Sequence, residues 1–153
     1  MKRLFAVLAV VSTLLLGACG GENPVAPPKY PDIAGTFQLN ATYDGFTQAL
    51  AQSTGTIGFE QFDRNSPTMS GTANITTRIS GATPVLVNVI TGITFTGPNT
   101  ITFKLGNNLV NPWEFTGTVG SNGGTQEIRG THILGKGSAT PFPGQFVAVF
   151  LRR

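Results

Sequence analysis

The sequence predicts an all-β fold, an eight-stranded antiparallel up-and-down barrel, from three observations. Charged residues make up only 11% of the chain, whereas Gly, Thr and Asn are abundant, which suits short strands and tight turns better than long helices. From residue 32 onward, apolar and polar residues alternate with period two, the pattern of strands with one buried face. Clusters of Gly, Pro, Asn and Ser separate the alternating runs. A two-sheet β-sandwich is the alternative fold.

The first element is an export signal over residues 1–18. Lys2 and Arg3 form a short positive region, and residues 4–16 form an apolar run of thirteen residues. Such a run is too short to cross roughly 30 Å of hydrocarbon as a helix. The pattern is therefore typical of a cleaved signal peptide, which places the protein outside the cytoplasm.

The apolar run ends in Leu16-Gly17-Ala18-Cys19, which resembles the lipobox of bacterial lipoproteins. The resemblance implies cleavage before Cys19, acylation of its thiol, and a stable anchor in membrane lipid through two or more acyl chains. Gly20 stands where the related inner-membrane retention signal has Asp, which implies the outer membrane. An ordinary signal peptide with a free thiol, or an uncleaved anchor helix, is the alternative. Because Cys19 is the single cysteine, no disulfide forms within one chain.

Residues 19–31 read as a tether that carries the lipidated cysteine, and residues 32–153 as one barrel domain. The stretch after Cys19 is rich in Pro and Gly and lacks apolar periodicity, so it is expected to stay extended. Without the signal, eight basic residues face seven acidic ones. This charge balance, with the basic residues scattered singly, argues against a nucleic-acid partner.

Eight alternating runs are predicted as strands. They span residues 35–43, 54–62, 69–79, 85–96, 99–105, 112–119, 125–134 and 144–152. The turns at 97–99, 106–108 and 121–124 are short enough for hairpins, and successive hairpins close naturally into a barrel without exposed edges. Residues 45–52 are the one stretch with helical spacing, and a turn of helix over one barrel end is expected there.

The predicted barrel resembles the lipocalin and calycin group. In that group a Gly-x-Trp opens the first strand, and a basic residue of the last strand packs over the ring. Here Gly35, Phe37 and Arg152 stand at those places, which implies that they close the barrel base. The resemblance also implies a cavity for a small apolar molecule, with Phe37, Tyr43 and Trp113 as ligand-binding residues. The alternative is a barrel filled by its own side chains, because eight strands permit either state. Further candidates for the interior are Leu39, Phe59, Phe103 and Phe115.

Catalysis is not expected, and neither is a cofactor or a metal. His132 is the single histidine, and without a second histidine or a further cysteine the common zinc and Ser-His-Asp arrangements cannot be assembled. Residues 130–137 approach a P-loop, but Gly137 stands where Ser or Thr must bind magnesium.

The sequence thus predicts a non-enzymatic, lipid-anchored envelope barrel that binds a small apolar ligand. The alternatives are a protein-binding inhibitor of lysozyme or a protease, and a structural envelope lipoprotein. A protein-binding role predicts an exposed contact loop, for which residues 62–68 and 135–144 are the candidates.

Overall fold

A computed structural model describes residues 27–106 and 112–153, which form nine β-strands in one sheet. The predicted signal peptide and Cys19 lie outside the described residues. Within the two described ranges, no helix is long and apolar enough to cross a membrane. The strands are β1 Gly35–Tyr43, β2 Ala51–Glu60, β3 Ser70–Ile79, β4 Val85–Val87, β5 Ile90–Phe95, β6 Thr100–Leu105, β7 Trp113–Asn122, β8 Thr125–Leu134 and β9 Phe142–Arg152.

Every strand pairs antiparallel with its neighbour in the sheet, and the order is β4-β3-β2-β1-β9-β8-β7-β6-β5. Except for β4 and β5, strands that follow one another in sequence are neighbours, and β9 returns to pair with β1. This is the connectivity of an up-and-down barrel. The all-β, antiparallel prediction is confirmed, and the single sheet shared by all nine strands does not match the sandwich alternative.

The two edges of the sheet meet beside β3, so the sheet curls into a barrel. Met69 N donates to Ile93 O at 3.2 Å, and Phe95 N donates to Pro67 O at 2.8 Å. Thr68, just before β3, forms an antiparallel bridge with Thr94 of β5. This bridge has the same register as the pairing of β3 with β4 nearer the upper end. The sheet is therefore closed on both sides of a short interruption.

That interruption divides the predicted run 85–96 into β4 and β5, which gives nine strands where eight were expected. β4 pairs only with β3 among the described strands, whereas β5 pairs with β6. Within β5 the register shifts between Thr91 and Thr94, where Gly92 has a φ of 59°. This left-handed residue bends the strand away from its partner.

The second strand starts at Ala51 rather than at the predicted residue 54. Residues 44–50 form a turn in which the amides of Leu50 and Ala51 both donate to Thr47 O, at 2.9 and 3.0 Å. This is the single turn of helix that the spacing at 45–52 predicted. The strand start was hidden because Ser53, a polar residue, points inward at 0% exposure.

The barrel has two ends, which we call upper and lower. The upper end carries the connections 44–50, 80–84 and 135–141. The lower end carries the connections 61–69, 96–99 and 123–124, together with the N-terminal segment 27–34. That segment packs against the barrel, because Tyr30 and Ile33 are 6% and 0% exposed. The packed part of the chain thus begins before the predicted domain boundary at residue 32.

The interior of the barrel combines small and large side chains. Strands β1 to β3 present Ala41, Ala51 and Ala73 to the interior beside rings such as Phe37, and β6 to β9 present rings such as Phe103. Small barrels are commonly filled by such a mixture of small and large residues.

Candidate functional site

The three predicted pocket residues separate into two groups. Phe37 and Tyr43 are six positions apart on β1, or roughly 20 Å at 3.3 Å per residue. Phe37 lies toward the lower end. Tyr43 lies at the upper end, where its ring is 6.5 Å from that of Trp113. The structure therefore brings Tyr43 and Trp113 together and places Phe37 elsewhere.

Tyr43 ends a chain of three buried hydroxyl groups that includes Ser53 and Thr77. The Tyr43 hydroxyl lies 2.7 Å from Ser53 Oγ, which lies 2.8 Å from Thr77 Oγ1. The strand pairing explains the contact, since Ser53 lies directly opposite Thr77. Burial raises the pKa of Tyr43, and hydrogen bonds with Ser53 and Thr77 partly oppose this shift. The phenol therefore stays protonated and acts as a hydrogen-bonding group.

His132 is the second buried polar group of the upper end, at 1% exposure. Trp113 Nε1 donates to His132 Nδ1 at 3.0 Å. The other ring nitrogen, Nε2, lies 2.9 Å from Thr42 O. Because an indole can only donate and a carbonyl can only accept, this pattern assigns the neutral tautomer with the proton on Nε2. Burial lowers the pKa of His132, against the opposing effects of Thr42 O and Asp44.

Tyr43, Trp113 and His132 form one buried aromatic cluster. The Tyr43 and Trp113 rings are inclined by only 24°. The His132 ring stands edge-on to both, at 5.0 Å from Tyr43 and 5.7 Å from Trp113. Since both polar atoms of the His132 ring are already bound, the cluster consists of apolar ring faces beside the hydroxyl chain.

Phe37 belongs to the closed lower part of the barrel. Its ring packs edge-on against Phe59 at 5.5 Å and Phe150 at 5.3 Å. Arg152, which was predicted to pack over the Phe37 ring, is exposed and lies opposite Thr36. The register shift between Thr36 and Phe37 brings Phe150 opposite Phe37 instead.

Gly35 lies where the start of β1 approaches the end of β9. A Cβ at this position would come within 2.6 Å of the Phe150 ring and 2.8 Å of Arg152 O. The close approach of β9 to the start of β1 therefore requires glycine.

The middle of the barrel is occupied by stacked rings. Phe103 and Phe115 lie 4.7 Å apart with their planes 7° from parallel, and Phe146 stands edge-on to both at 5.9 and 5.1 Å. These rings are at most 4% exposed. The middle of the barrel is therefore occupied by its own side chains.

Two clefts lined by described residues lie outside the barrel and flank Gln48. One, of about 350 Å³, is lined by Gln48, Ala49, Gln52, Thr54, Thr76 and Arg78. The other, of about 190 Å³, is lined by Gln48 and residues of β1, β8 and β9. The larger cleft is mainly polar and both are open to the solvent, so neither is the predicted cavity inside the barrel.

The two predicted contact loops lie at opposite ends. Residues 62–68 are at the lower end, where the amide of Tyr30 donates to Arg64 O at 3.0 Å and the Arg64 guanidinium donates to Tyr30 O at 3.2 Å. Residues 135–144 are at the upper end. There Phe142 lies 6.2 Å from Phe46, and both rings are more than one third exposed.

The acidic side chains with a shifted pKa are held in ion pairs. Lys136 and Lys104 bind Glu114 and lower its pKa, and Arg129 does the same for Glu127. In residues 27–106 and 112–153, no three His, Cys, Asp or Glu residues are grouped to hold a metal ion.

Comparison with solved structures identifies small β-barrel proteins. One is EF1p2_mFAP2b, solved bound to DFHBI, with a TM-score of 0.52 at 16% identity over 77% of this chain and 93% of that one. The chain has a small β-barrel fold. A redesigned β-barrel, b11L5F_LGL, gives a TM-score of 0.45 at 16% identity, over 78% of this chain and 91% of that one. No protein-family model matches the sequence, and no curated protein does either.

The buried hydroxyl residues Ser53 and Thr77 of the upper end were not predicted from the sequence. Ser53 and Thr77 occupy inward positions of β2 and β3, so each breaks the alternation that defined the strands. The sequence does contain a sign of this site, because Ser53 and Thr77 are polar residues at positions where the alternation of two adjacent strands calls for buried apolar ones. His132 is marked in the sequence only as the single histidine, because nothing local indicates its contacts with Trp113 and Thr42.

Proposed function

We propose that the protein is a non-enzymatic, lipid-anchored envelope barrel that binds a small apolar ligand at its upper end. The observation that carries the proposal is the buried hydroxyl chain of Tyr43, Ser53 and Thr77 beside the Trp113 ring. Ligand sites are commonly apolar with a few placed polar groups that fix the ligand's orientation. The upper end has this composition.

The hydroxyl chain has a donor to offer. Three hydroxyl groups carry three O–H donors, and the two hydrogen bonds within the chain use two of them. The third lies on Tyr43, Ser53 or Thr77, depending on which hydroxyl groups donate the two hydrogen bonds. A ligand with an apolar body and one carbonyl, hydroxyl or carboxylate oxygen would accept this proton while its body packs on Trp113.

The fold supports a small ligand in a barrel of this size. EF1p2_mFAP2b is a barrel of similar length that was solved with DFHBI bound. The aromatic filling of the middle of the present barrel limits the ligand to the upper end. The predicted site is thereby reduced to Tyr43 and Trp113, with Ser53 and Thr77 added.

The location rests on the N-terminal sequence. The charged start, the apolar run and Leu16-Gly17-Ala18-Cys19 support export, acylation of Cys19 and attachment to the outer membrane. Mass spectrometry of the protein extracted from membranes tests this part. A diacylglycerol adduct on Cys19 is expected, and an unmodified thiol would contradict it.

Trp113 is the single tryptophan of the chain, so its fluorescence reports directly on the site. Titration with DFHBI and with a medium-chain fatty acid is expected to change the Trp113 emission saturably for at least one of them. Tyr43→Phe should weaken binding of an oxygen-bearing ligand about three- to tenfold, the effect of one neutral hydrogen bond. Thr131→Ala, on the exposed outer face of β8, is the matched control. The proposal would be contradicted if the Trp113 emission changed only linearly with the concentration of both probes.

A second function, protein binding, is favoured by the exposed apolar residues of the upper end. Phe46, Leu50 and Phe142 are 41%, 45% and 37% exposed, and exposed apolar groups on a rigid scaffold are typical of interaction sites. Inhibition assays with lysozyme and with secreted proteases test this function. Loss of inhibition in Phe142→Ser, with the Trp113 emission unchanged, is the expected signature.

A further inference from the structure

The lower end of the barrel binds the chain that leads to the predicted anchor. Tyr30 stacks on Phe95 with ring centroids 4.8 Å apart and planes 9° from parallel. The Lys29 amide donates to Asn65 Oδ1 at 3.3 Å, and the Ile33 amide donates to Gln61 Oε1 at 3.0 Å. The point at which the chain leaves the barrel is therefore fixed beside residues 61–69.

The length of the remaining chain keeps this end near the lipid. Seven residues, 20–26, separate Cys19 from Pro27, and eight steps along an extended chain reach roughly 25 Å. The upper end is one strand length farther away, roughly 25–30 Å for strands of nine to eleven residues. With Cys19 acylated, a tether of this length keeps the lower end within roughly 25 Å of the lipid.

The lower end also carries the most exposed large apolar side chain of the described residues. Phe62 is 89% exposed at the tip of the 61–69 connection. Nothing in the fold requires an aromatic ring at this place. Aromatic residues concentrate where protein meets the headgroup region of a membrane, and burial of a Phe side chain there is favourable.

Basic side chains lie on the same end of the barrel as Phe62. Lys29 and Arg64 are exposed beside it, and Arg152 and Arg153 lie at the end of β9. Of the acidic groups at this end, Asp32 is bound by Arg153 at 2.7 Å and Glu60 accepts a hydrogen bond from Ser70 at 2.8 Å, while Asp63 accepts one from the Asn65 amide at 2.8 Å. The charges nearly balance, so attraction to anionic lipid is weak by itself. A covalent anchor makes such a weak contact effective by raising the local concentration.

We infer that the lower end is a membrane-contacting surface for a phospholipid bilayer, in which Phe62 enters the headgroup boundary and Lys29 and Arg64 bind headgroup phosphates. This inference rests on the proposed acylation of Cys19. It fixes the orientation of the molecule: the ligand site and the 135–144 loop face away from the bilayer. Of the two predicted contact loops, 62–68 then contacts lipid, and only 135–144 remains available to a protein partner.

The test uses the full-length acylated protein in vesicles of phosphatidylglycerol and phosphatidylethanolamine. A nitroxide is attached to Phe62→Cys and, as the matched control, to Ala139→Cys in the upper end; the acylated thiol of Cys19 does not react. At position 62 the label is expected to collide mainly with oxygen, as in lipid, and at position 139 mainly with a water-soluble nickel chelate. Equal exposure of both labels to the chelate would overturn the orientation.

Proteolysis supplies a second readout. On vesicles, trypsin cleavage after Arg64 is expected to slow at least roughly tenfold, because tenfold corresponds to the smallest free energy gained by fully burying a Phe side chain. Cleavage after Lys136 at the upper end should stay unchanged. Phe62→Ser should remove the protection while the protein still sediments with the vesicles. Protein that sediments without protection at Arg64 would overturn this inference and leave the anchor intact. Protein that does not sediment would overturn both.

Discussion

At the residue scale, His132 shows how a polar side chain can be part of an apolar interior. Its two ring nitrogens bind Trp113 and Thr42 O, so the neutral ring has no unused polar atom. Protonation would turn Nδ1 into a second donor facing the Trp113 N–H, which is itself a donor. Burial and this arrangement both favour the neutral form, in agreement with the lowered pKa.

The lowered pKa of His132 predicts a pH dependence of stability. Between the folded pKa and the ordinary value of 6.5, the unfolded chain binds a proton that the folded protein does not. The contribution of His132 is therefore complete above pH 6.5 and is lost as the pH falls, by at most about 1.4 kcal/mol per pH unit. Urea unfolding between pH 7.5 and 5.5 measures this loss.

The control for this prediction is His132→Gln. His132 is the single histidine. The lowered pKa values of Glu114 and Glu127 affect stability only below their ordinary value of 4.5. The free energy of unfolding of the variant should therefore be nearly constant between pH 7.5 and 5.5. If the free energy of unfolding of His132→Gln depended on pH as that of the natural protein does, the titrating group would be a residue other than His132.

Gly144 is a second residue whose identity the upper end requires. A Cβ on Gly144 would meet Thr42 O at 1.9 Å and His132 Nε2 at 2.7 Å, where the His132–Thr42 hydrogen bond joins β8 to β1. Gly144→Ala is expected to lower the free energy of unfolding by about 1–3 kcal/mol, as in other overpacked interiors. Gly120→Ala is the control, since nothing lies within 4 Å of its Cβ position. Equal stabilities of the two variants would show that β1 and β9 can separate without cost.

At the scale of elements, the sequence predicts strands well where the inward residues are apolar. β1 was placed at its observed bounds because Phe37, Leu39, Ala41 and Tyr43 all point inward. It predicts β2 less well, because the inward Ser53 resembles its outward neighbours until its partners Tyr43 and Thr77 are known. The division of residues 85–96 also escaped prediction, since it depends on where the sheet edges meet.

The N-terminal segment 27–34 is an element that composition alone assigns to the tether. Its attachment depends on Tyr30, which stacks on Phe95 and exchanges hydrogen bonds with Arg64. Tyr30→Ala is expected to release the segment while the barrel stays folded. Trypsin cleavage after Lys29 should accelerate, because proteolysis follows the population of the opened segment.

Cleavage after Lys136 provides the internal control for this experiment. Lys136 lies at the upper end, away from Tyr30, and its rate should not change in Tyr30→Ala. Faster cleavage at both sites would mean that the substitution loosens the whole barrel, and unchanged cleavage at Lys29 would mean that Tyr30 does not hold the segment.

At the scale of the whole molecule, the aromatic rings of the proposed ligand site are also part of the hydrophobic core. Trp113 contacts Phe115 at 4.9 Å, and Phe115 stacks on Phe103. The sequence correctly indicated that Tyr43, Trp113 and Phe37 face inward. It could not place Phe37 apart from the other two, because period-two alternation assigns a face of the sheet and carries no information about depth in the barrel.

Phe115 offers a test of whether this shared interior is close-packed. Its ring lies within 5.3 Å of the rings of Phe103, Trp113, Phe146 and His132. Phe115→Ala should lower the free energy of unfolding by about 3–5 kcal/mol, because burial is lost and a cavity remains. Since an apolar cavity of this kind accepts benzene, adding benzene should restore part of the loss in a concentration-dependent way. Urea unfolding with and without benzene measures both effects, and Phe62→Ala, at an 89% exposed site, should show neither. A loss below about 1 kcal/mol in Phe115→Ala would mean that the rings are loosely packed and that the middle of the barrel is open to ligands as well.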